Sequence, residues 1–220
     1  MTDIWGWNPP LVGDFRRSVF APPRARLLRI RRSAEMPLSL AETVLHLRLD
    51  VGAENGPEKP LIKRLIAAAT GALEEHASIS VMEQDWRMTL RHWPPIPGDG
   101  LEFPMPPFKE LLRIRVDDQV VPNADYYFVH EERSSRMFPV SGRWGAAAYG
   151  YSRRPDRVII DFRAGHTTRA EVPESLRQAM LLAIGTWYEN RESLQQFTLT
   201  PLIGIGWRDL INHHREPGFA

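Results

Sequence analysis

Apolar positions along this chain change period twice, from helical to alternating and back to helical. Ser39-Leu40-Ala41-Glu42 has the form of a capping box: the serine oxygen accepts from a first-turn amide and Glu42 reaches back to the cap. Leu40, Val44 and Leu47, widened by Leu45 and Leu49, carry a helical stripe on to about Asp50. Gly52 to Pro57 predicts a loop. A second helix is expected from about Glu58 to Ala77, with Leu61, Ile62, Leu65, Ile66, Ala69 and Leu73 on one face.

From about Ile79 the period becomes two. Trp86, Met88 and Leu90 alternate with Arg87, Thr89 and Arg91, as in a half-buried strand, and Trp93-Pro94-Pro95 ends it. Leu101 and Phe103 start a short strand stopped by Pro104, Pro106 and Pro107. Leu112, Ile114 and Val116 then alternate with Arg113 and Arg115, and Asp117-Asp118-Gln119 turns the chain back through Val120 and Val121 as a hairpin. Asp125 to Val129 predicts a further strand. Ser134 to Pro155 reads as a long Gly- and Ser-rich loop, and Val158, Ile160 and Phe162 as the last strand, closed by Ala164-Gly165.

Helical spacing returns after Pro173, a residue favoured in a first turn, with Glu171 and Glu174 near the positive end of the helix dipole. Leu176, Met180, Ile184, Trp187 and Tyr188 form its stripe, to about Ser193. Beyond Thr200-Pro201 and Gly204-Ile205-Gly206, Trp207 to Ile211 make a short amphipathic piece. The expected fold is α+β: a small helical bundle of three main helices plus a short C-terminal helix, with an inserted antiparallel β-subdomain. The corresponding units are an extended N-terminal arm over 1–36, a helical hairpin over 37–78, the β-subdomain over 79–170, a long helix over 171–197 and a tail over 198–220.

The arm differs from the rest. It holds Trp5, Trp7 and four prolines, then a basic run at Arg24, Arg26, Arg29, Arg31 and Arg32. Its prolines forbid a continuous helix. Its tryptophans suit either a pocket on a partner or the surface of their own subunit. The tail carries the same two readings: Trp207 and Leu210, expected exposed, serve a docking peptide or a plain last helix.

Composition narrows the chemistry. The net charge of +1 on 220 residues gives no polycation for nucleic acid. Zero cysteines exclude disulfides, thiolate nucleophiles and cysteine-ligated metals. The start MTDIWGWNPP lacks the features of a secretory signal, and no apolar run reaches membrane-spanning length. The expected protein is soluble and made in the cytoplasm. No GxSxG, P-loop or HExxH motif occurs. His166 with His213 and His214 reads as a solvated tail rather than a metal site, and Glu74-Glu75, Asp117-Asp118 and Glu131-Glu132 as solvated charged faces. No catalytic residue, cofactor or metal is expected.

Several segments in this order carry a resemblance. Leu38-Ser39-Leu40-Ala41-Glu42 with His46-Leu47-Arg48-Leu49-Asp50, then LIKRLIAAA from Leu61 to Ala69, look like the first two helices of head–tail connector (adaptor) proteins. These belong to tailed bacteriophages and phage-like gene transfer particles. Gln84, Trp86 and Leu90 match the following strand, Phe103-Pro104 with Pro106-Pro107 the Pro-rich strand entry, and Asp125-Tyr126 a later strand. Phe162-Arg163-Ala164-Gly165, Val172-Pro173-Glu174-Ser175-Leu176-Arg177-Gln178-Ala179 and Trp187-Tyr188-Glu189-Asn190-Arg191-Glu192 are similar to the family's last strand and long helix. The similarity spans most of 38–215; residues 1–36 and the loop around Trp144 depart from it.

The resemblance implies a structural subunit without catalysis. It would join copies of itself in a closed ring of about twelve, a heterologous cyclic interface, in the neck of a virion or phage-like particle assembled in a bacterial cytoplasm. Its partners would be the portal protein and a downstream neck or tail-completion protein, with DNA passing through without sequence-specific binding and no membrane. Portal docking maps to roughly Thr200–Arg215, where Trp207, Leu210 and Ile211 would anchor and Arg208 and Arg215 meet carboxylates. The resemblance gives residues 1–36 no role; from the residues themselves, Trp5, Trp7, Arg24, Arg26 and Arg29 are the arm positions expected to anchor a partner. The competing reading is a DNA-contacting accessory protein that uses the basic N-terminal arm.

Overall fold

The computed structural model describes residues 25–50, 52–94, 97–131, 134–144, 156–190, 204–212 and 214. Among the described residues, two antiparallel sheets and four α-helices make an α+β fold. The helices are α1 (Leu40–His46), α2 (Lys59–Ala77), α3 (Glu174–Glu189) and α4 (Gly204–Asn212). The strands are β1 (Arg26–Arg31), β2 (Gln84–Leu90), β3 (Leu101–Glu102), β4 (Phe108–Val116), β5 (Gln119–Val121), β6 (Tyr126–His130), β7 (Ser135–Pro139) and β8 (Val158–Ala164).

The capping box forms as its residues demand, with the Glu42 amide donating to Ser39 Oγ at 3.1 Å. Helix α1 stops at His46, four residues before the expected end. Arg48 takes φ +54, the Leu49 amide donates to the Val44 carbonyl and the Arg48 amide to that of Leu45. This is a Schellman closure with arginine where glycine is usual, so no glycine marks it in the sequence. Helices α1–α4 share one apolar cluster, which includes Leu38, Ile62, Ile66, Leu73, Met180 and Ile184, all fully or nearly fully buried.

The larger sheet has the order β1-β2-β8-β4-β5 and the smaller one β3-β7-β6. Their facing sides enclose a second cluster, with Met88, Ile114, Ile160 and Phe162 from one sheet and Leu101, Tyr126 and Met137 from the other. Phe103, Phe108 and Phe162 meet there with ring centroids 4.4–6.3 Å apart, distances at which aromatic pairs attract beyond their buried area.

Three expectations need correction. Residues 26–31 leave the expected free arm and form the edge strand of the larger sheet, with Leu27 opposite Met88 and Arg29 opposite Trp86. The expected loop from Ser134 contains β7, whose Ser135, Met137 and Pro139 point inward while Arg136 and Phe138 point out; its polar residues mask a period of two. In β4, register shifts between Phe108 and Glu110 and between Leu111 and Arg113 change which residue faces the core. Leu111 is inward and Leu112, expected inside, is 37% exposed, as bulges re-aim side chains. The hairpin turn at Asp117 and Asp118 has φ +48 and +70, both positive as a two-residue type I′ turn requires.

Candidate functional site

Helix α4 closes the helical cluster. Trp207, Leu210 and Ile211 stand at i, i+3 and i+4, one face of a helix. Trp207 is 4% exposed and Ile211 fully buried, while half-buried Leu210 packs beside them. The Trp207 ring lies 5.1 Å from the His76 ring of α2. His214, just past the helix, hydrogen-bonds through Nε2 to the Ser175 hydroxyl of α3 at 2.7 Å. The expectation of an exposed Trp207 is therefore corrected: Trp207 and Ile211 anchor the helix to its own chain. Asp209 and Asn212 form its exposed side. Arg215 and the side chain of Arg208 lie outside the described residues.

Of the expected arm anchors, Trp5, Trp7 and Arg24 also lie outside the described residues. Arg26 is exposed at the sheet edge. Arg29 is committed within the chain. Its guanidinium carbon sits 4.8 Å from the Trp86 ring centroid, and Nη2 donates to Glu74 Oε2 at 3.2 Å.

Glu74, expected on a solvated face, is 4% exposed. Besides Arg29 its carboxylate accepts from the Val81 amide at 3.1 Å and from the Gln84 side chain. Burial pushes the Glu74 carboxyl above the usual carboxylate range, opposed by the Arg29 charge and by these hydrogen bonds. One side chain thus joins α2, the turn before β2, β2 itself and β1. No local pattern in the sequence distinguishes Glu74 from Glu75, because what buries it is the arrival of β1 and β2 from elsewhere in the chain.

The outward face of the larger sheet carries a concentration of charge, in three rows across the strands. Arg31, Asp85, Arg163 and Glu110 make the first; Leu28, Arg87, Asp161 and Arg113 the second; Arg26, Thr89, Ile159 and Arg115 the third. Asp85 is gripped from both sides. Arg31 donates to it through Nε at 2.7 Å and Nη2 at 3.1 Å, and Arg163 through Nε at 2.7 Å. Burial would raise the Asp85 carboxyl, but the two arginines outweigh it and hold it down at about 2. Glu110 accepts from Arg163 at 2.5 Å, and Glu83 pairs with Arg31 and Lys109. Asp161 takes both bonds of a planar fork from Arg87, at 2.7 and 3.0 Å. These rows were missed in the sequence, where Asp85 and Arg163 are 78 residues apart; only strand register brings them together.

A cleft of about 480 Å³ between the β-region and the helices is lined by His130, His166 and His214. His130 Nδ1 lies 3.0 Å from Ser135 Oγ, and its ring stacks on Phe108 and Phe128. Burial holds His166 below the usual imidazole range. Among the described residues no group of three or more His, Asp or Glu is gathered as a metal site, and no helix is long and apolar enough to cross a membrane.

No protein-family model and no curated protein matches the chain. Solved structures do. A chain from the neck of the empty GTA particle, computed with C6 symmetry, superposes with a TM-score of 0.65 at 25% identity, over 86% of this chain and 95% of that one. A chain from the virion of the native gene transfer agent (GTA) particle gives 0.64 at 24% identity, over 86% and 94%. A third, from the neck of the native GTA particle computed with C12 symmetry, gives 0.57 at 21% identity. The chain thus shares its fold, over 86% of its length, with chains of gene transfer agent particles, the neck among them.

Proposed function

We propose that this chain is a non-enzymatic structural subunit in the neck of a phage-like particle. The observation that carries this reading is the fold similarity, at 25% identity, to a neck chain along 86% of this chain and 95% of that one. Similarity over 86% and 95% of the two chains, rather than over one motif, supports a shared architectural role. The finer reading is that of a head–tail connector. Copies join side by side into a ring of about twelve by a heterologous interface that closes, the ring sits under the portal, and it extends the DNA channel toward a downstream neck component. The C6 symmetry of the similar neck supports a cyclic arrangement.

The alternative, a DNA-contacting free arm, loses ground because residues 26–31 are built into the sheet edge and Arg29 is turned onto Trp86 and Glu74. Native mass spectrometry over a concentration series, alone and with the portal protein of the same particle, tests the proposal. The expected result is a closed high-order ring, alone or on the portal. A chain that stays monomeric and leaves the portal unbound would overturn it.

A further inference from the structure

The outward face of the larger sheet concentrates positive charge. Its three rows hold six arginines against three carboxylates, a surplus of three on one face of a chain whose total is +1. Height matters as much as number. The Asp85 and Asp161 side chains are 13% and 12% exposed, while those of Arg31 and Arg87 keep 45% and 35%. At Asp85 and Asp161 the carboxylates lie low against the sheet and hold the Arg31 and Arg87 guanidiniums above them, whereas Glu110, 49% exposed, stands above Arg163 at 26%. Arg26 and Arg113 are exposed, and no described carboxylate pairs with either. Rows lie two residues apart along each strand, roughly 7 Å, and strands are about 4.8 Å apart. The result is a pre-ordered array of planar donors. It carries no helix that could enter a groove, and its geometry suits phosphates rather than base edges.

The geometry points to this sheet face as a binding surface for the sugar–phosphate backbone of duplex DNA, without sequence preference, turned toward the DNA path in the assembled ring. The last clause rests on the ring reading; the binding surface does not. The surface shares Arg26 and Arg31 with the basic run considered above but extends well beyond it, since Arg87, Arg113, Arg115 and Arg163 belong to central or far strands.

Fluorescence anisotropy of the full chain with a 30-base-pair duplex of arbitrary sequence, across a salt series, tests the inference. Arg26→Gln with Arg113→Gln breaks no ion pair with a described residue. The double variant is expected to keep the wild-type melting temperature, weaken DNA binding about tenfold and lower the salt slope by about two, one for each phosphate that is no longer neutralised. Lys63→Gln on the exposed side of α2 is expected to change neither quantity. Equal affinity and slope for the double variant and the Lys63 control would overturn the inference. So would loss of ring assembly with unchanged DNA binding, which would assign the face to an acidic protein partner. Ring size, read in parallel by native mass spectrometry with and without the portal protein, separates the two ideas: a chain that stays monomeric and leaves the portal unbound, but whose DNA affinity falls in the double variant, sinks the ring and keeps the surface.

Discussion

Glu74 and Asp85 are both partly shielded carboxylates beside arginine, yet opposite causes dominate. At Glu74 burial outweighs the pair, so a neutral acceptor of the same shape should serve almost as well. Glu74→Gln is expected to change unfolding free energy by less than about 1 kcal/mol. Glu74→Ala, which strands Arg29, the Val81 amide and Gln84, is expected to lose about 3 kcal/mol. Urea denaturation compares the two, and equal losses would contradict the burial argument. At Asp85 the arginines win. A folded-state pKa of about 2, below the ordinary 3.8, contributes stability that is fully present above pH 3.8 and is lost as pH falls through about 2. After allowance for solvent screening the contribution is on the order of 1–2 kcal/mol. The stability gap between the wild type and Asp85→Asn should therefore be open at pH 7 and close only as pH falls through and below about 2. Gly165 shows a steric limit. Its φ is +103, and a Cβ there would stand 2.2 Å from the Met82 carbonyl oxygen. Gly165→Ala is expected to destabilise by more than about 2 kcal/mol, read in the same urea titration.

Helix α4 is the element whose reading changes most. As a docking tail it could be removed without harm, but Trp207 and Ile211 lie in the helical core. Trp207→Ala is expected to cost about 3–5 kcal/mol, and truncation after Thr200 to leave a chain that melts early or non-cooperatively by circular dichroism. A truncated chain as stable as the full one would show that the helix is peripheral. Portal docking through this segment has to be probed on its exposed side instead. Asp209→Ala with Asn212→Ala should leave stability unchanged, and a loss of portal binding in a pull-down would mark that side as the contact. Strand β1 carries the converse lesson. Its alternation is short and arginine-rich, and it becomes a strand because β2 offers an open edge and Trp86 and Glu74 receive Arg29.

At the scale of the whole molecule, the helical cluster and the two-sheet cluster are joined by a few polar ties, Glu74 with Arg29 and Gln84, and Trp86 Nε1 with Ser80 Oγ at 2.9 Å. Stacked Trp93 and Trp144 close the far end of the sheets, with centroids 4.7 Å apart. If subunits close into a ring, native mass spectrometry should find one dominant high-order species rather than a ladder, because a heterologous contact that closes leaves no free end. The sequence by itself determined the helices, most strands, the Ser39 cap and the return at Asp117-Asp118, because these depend on period and on local hydrogen bonding within a few residues. Tertiary structure alone decided the rest. It buried Glu74 and left Glu75 outside the cluster, drew β1 into the sheet, turned Leu111 inward in place of Leu112, and seated Trp207 in its own core. It also assembled the arginine rows from strands as far apart in the sequence as β1 and β8. The reason is common to all five: each depends on which distant surface arrives to cover a residue or stand opposite it, and a local pattern holds no record of that.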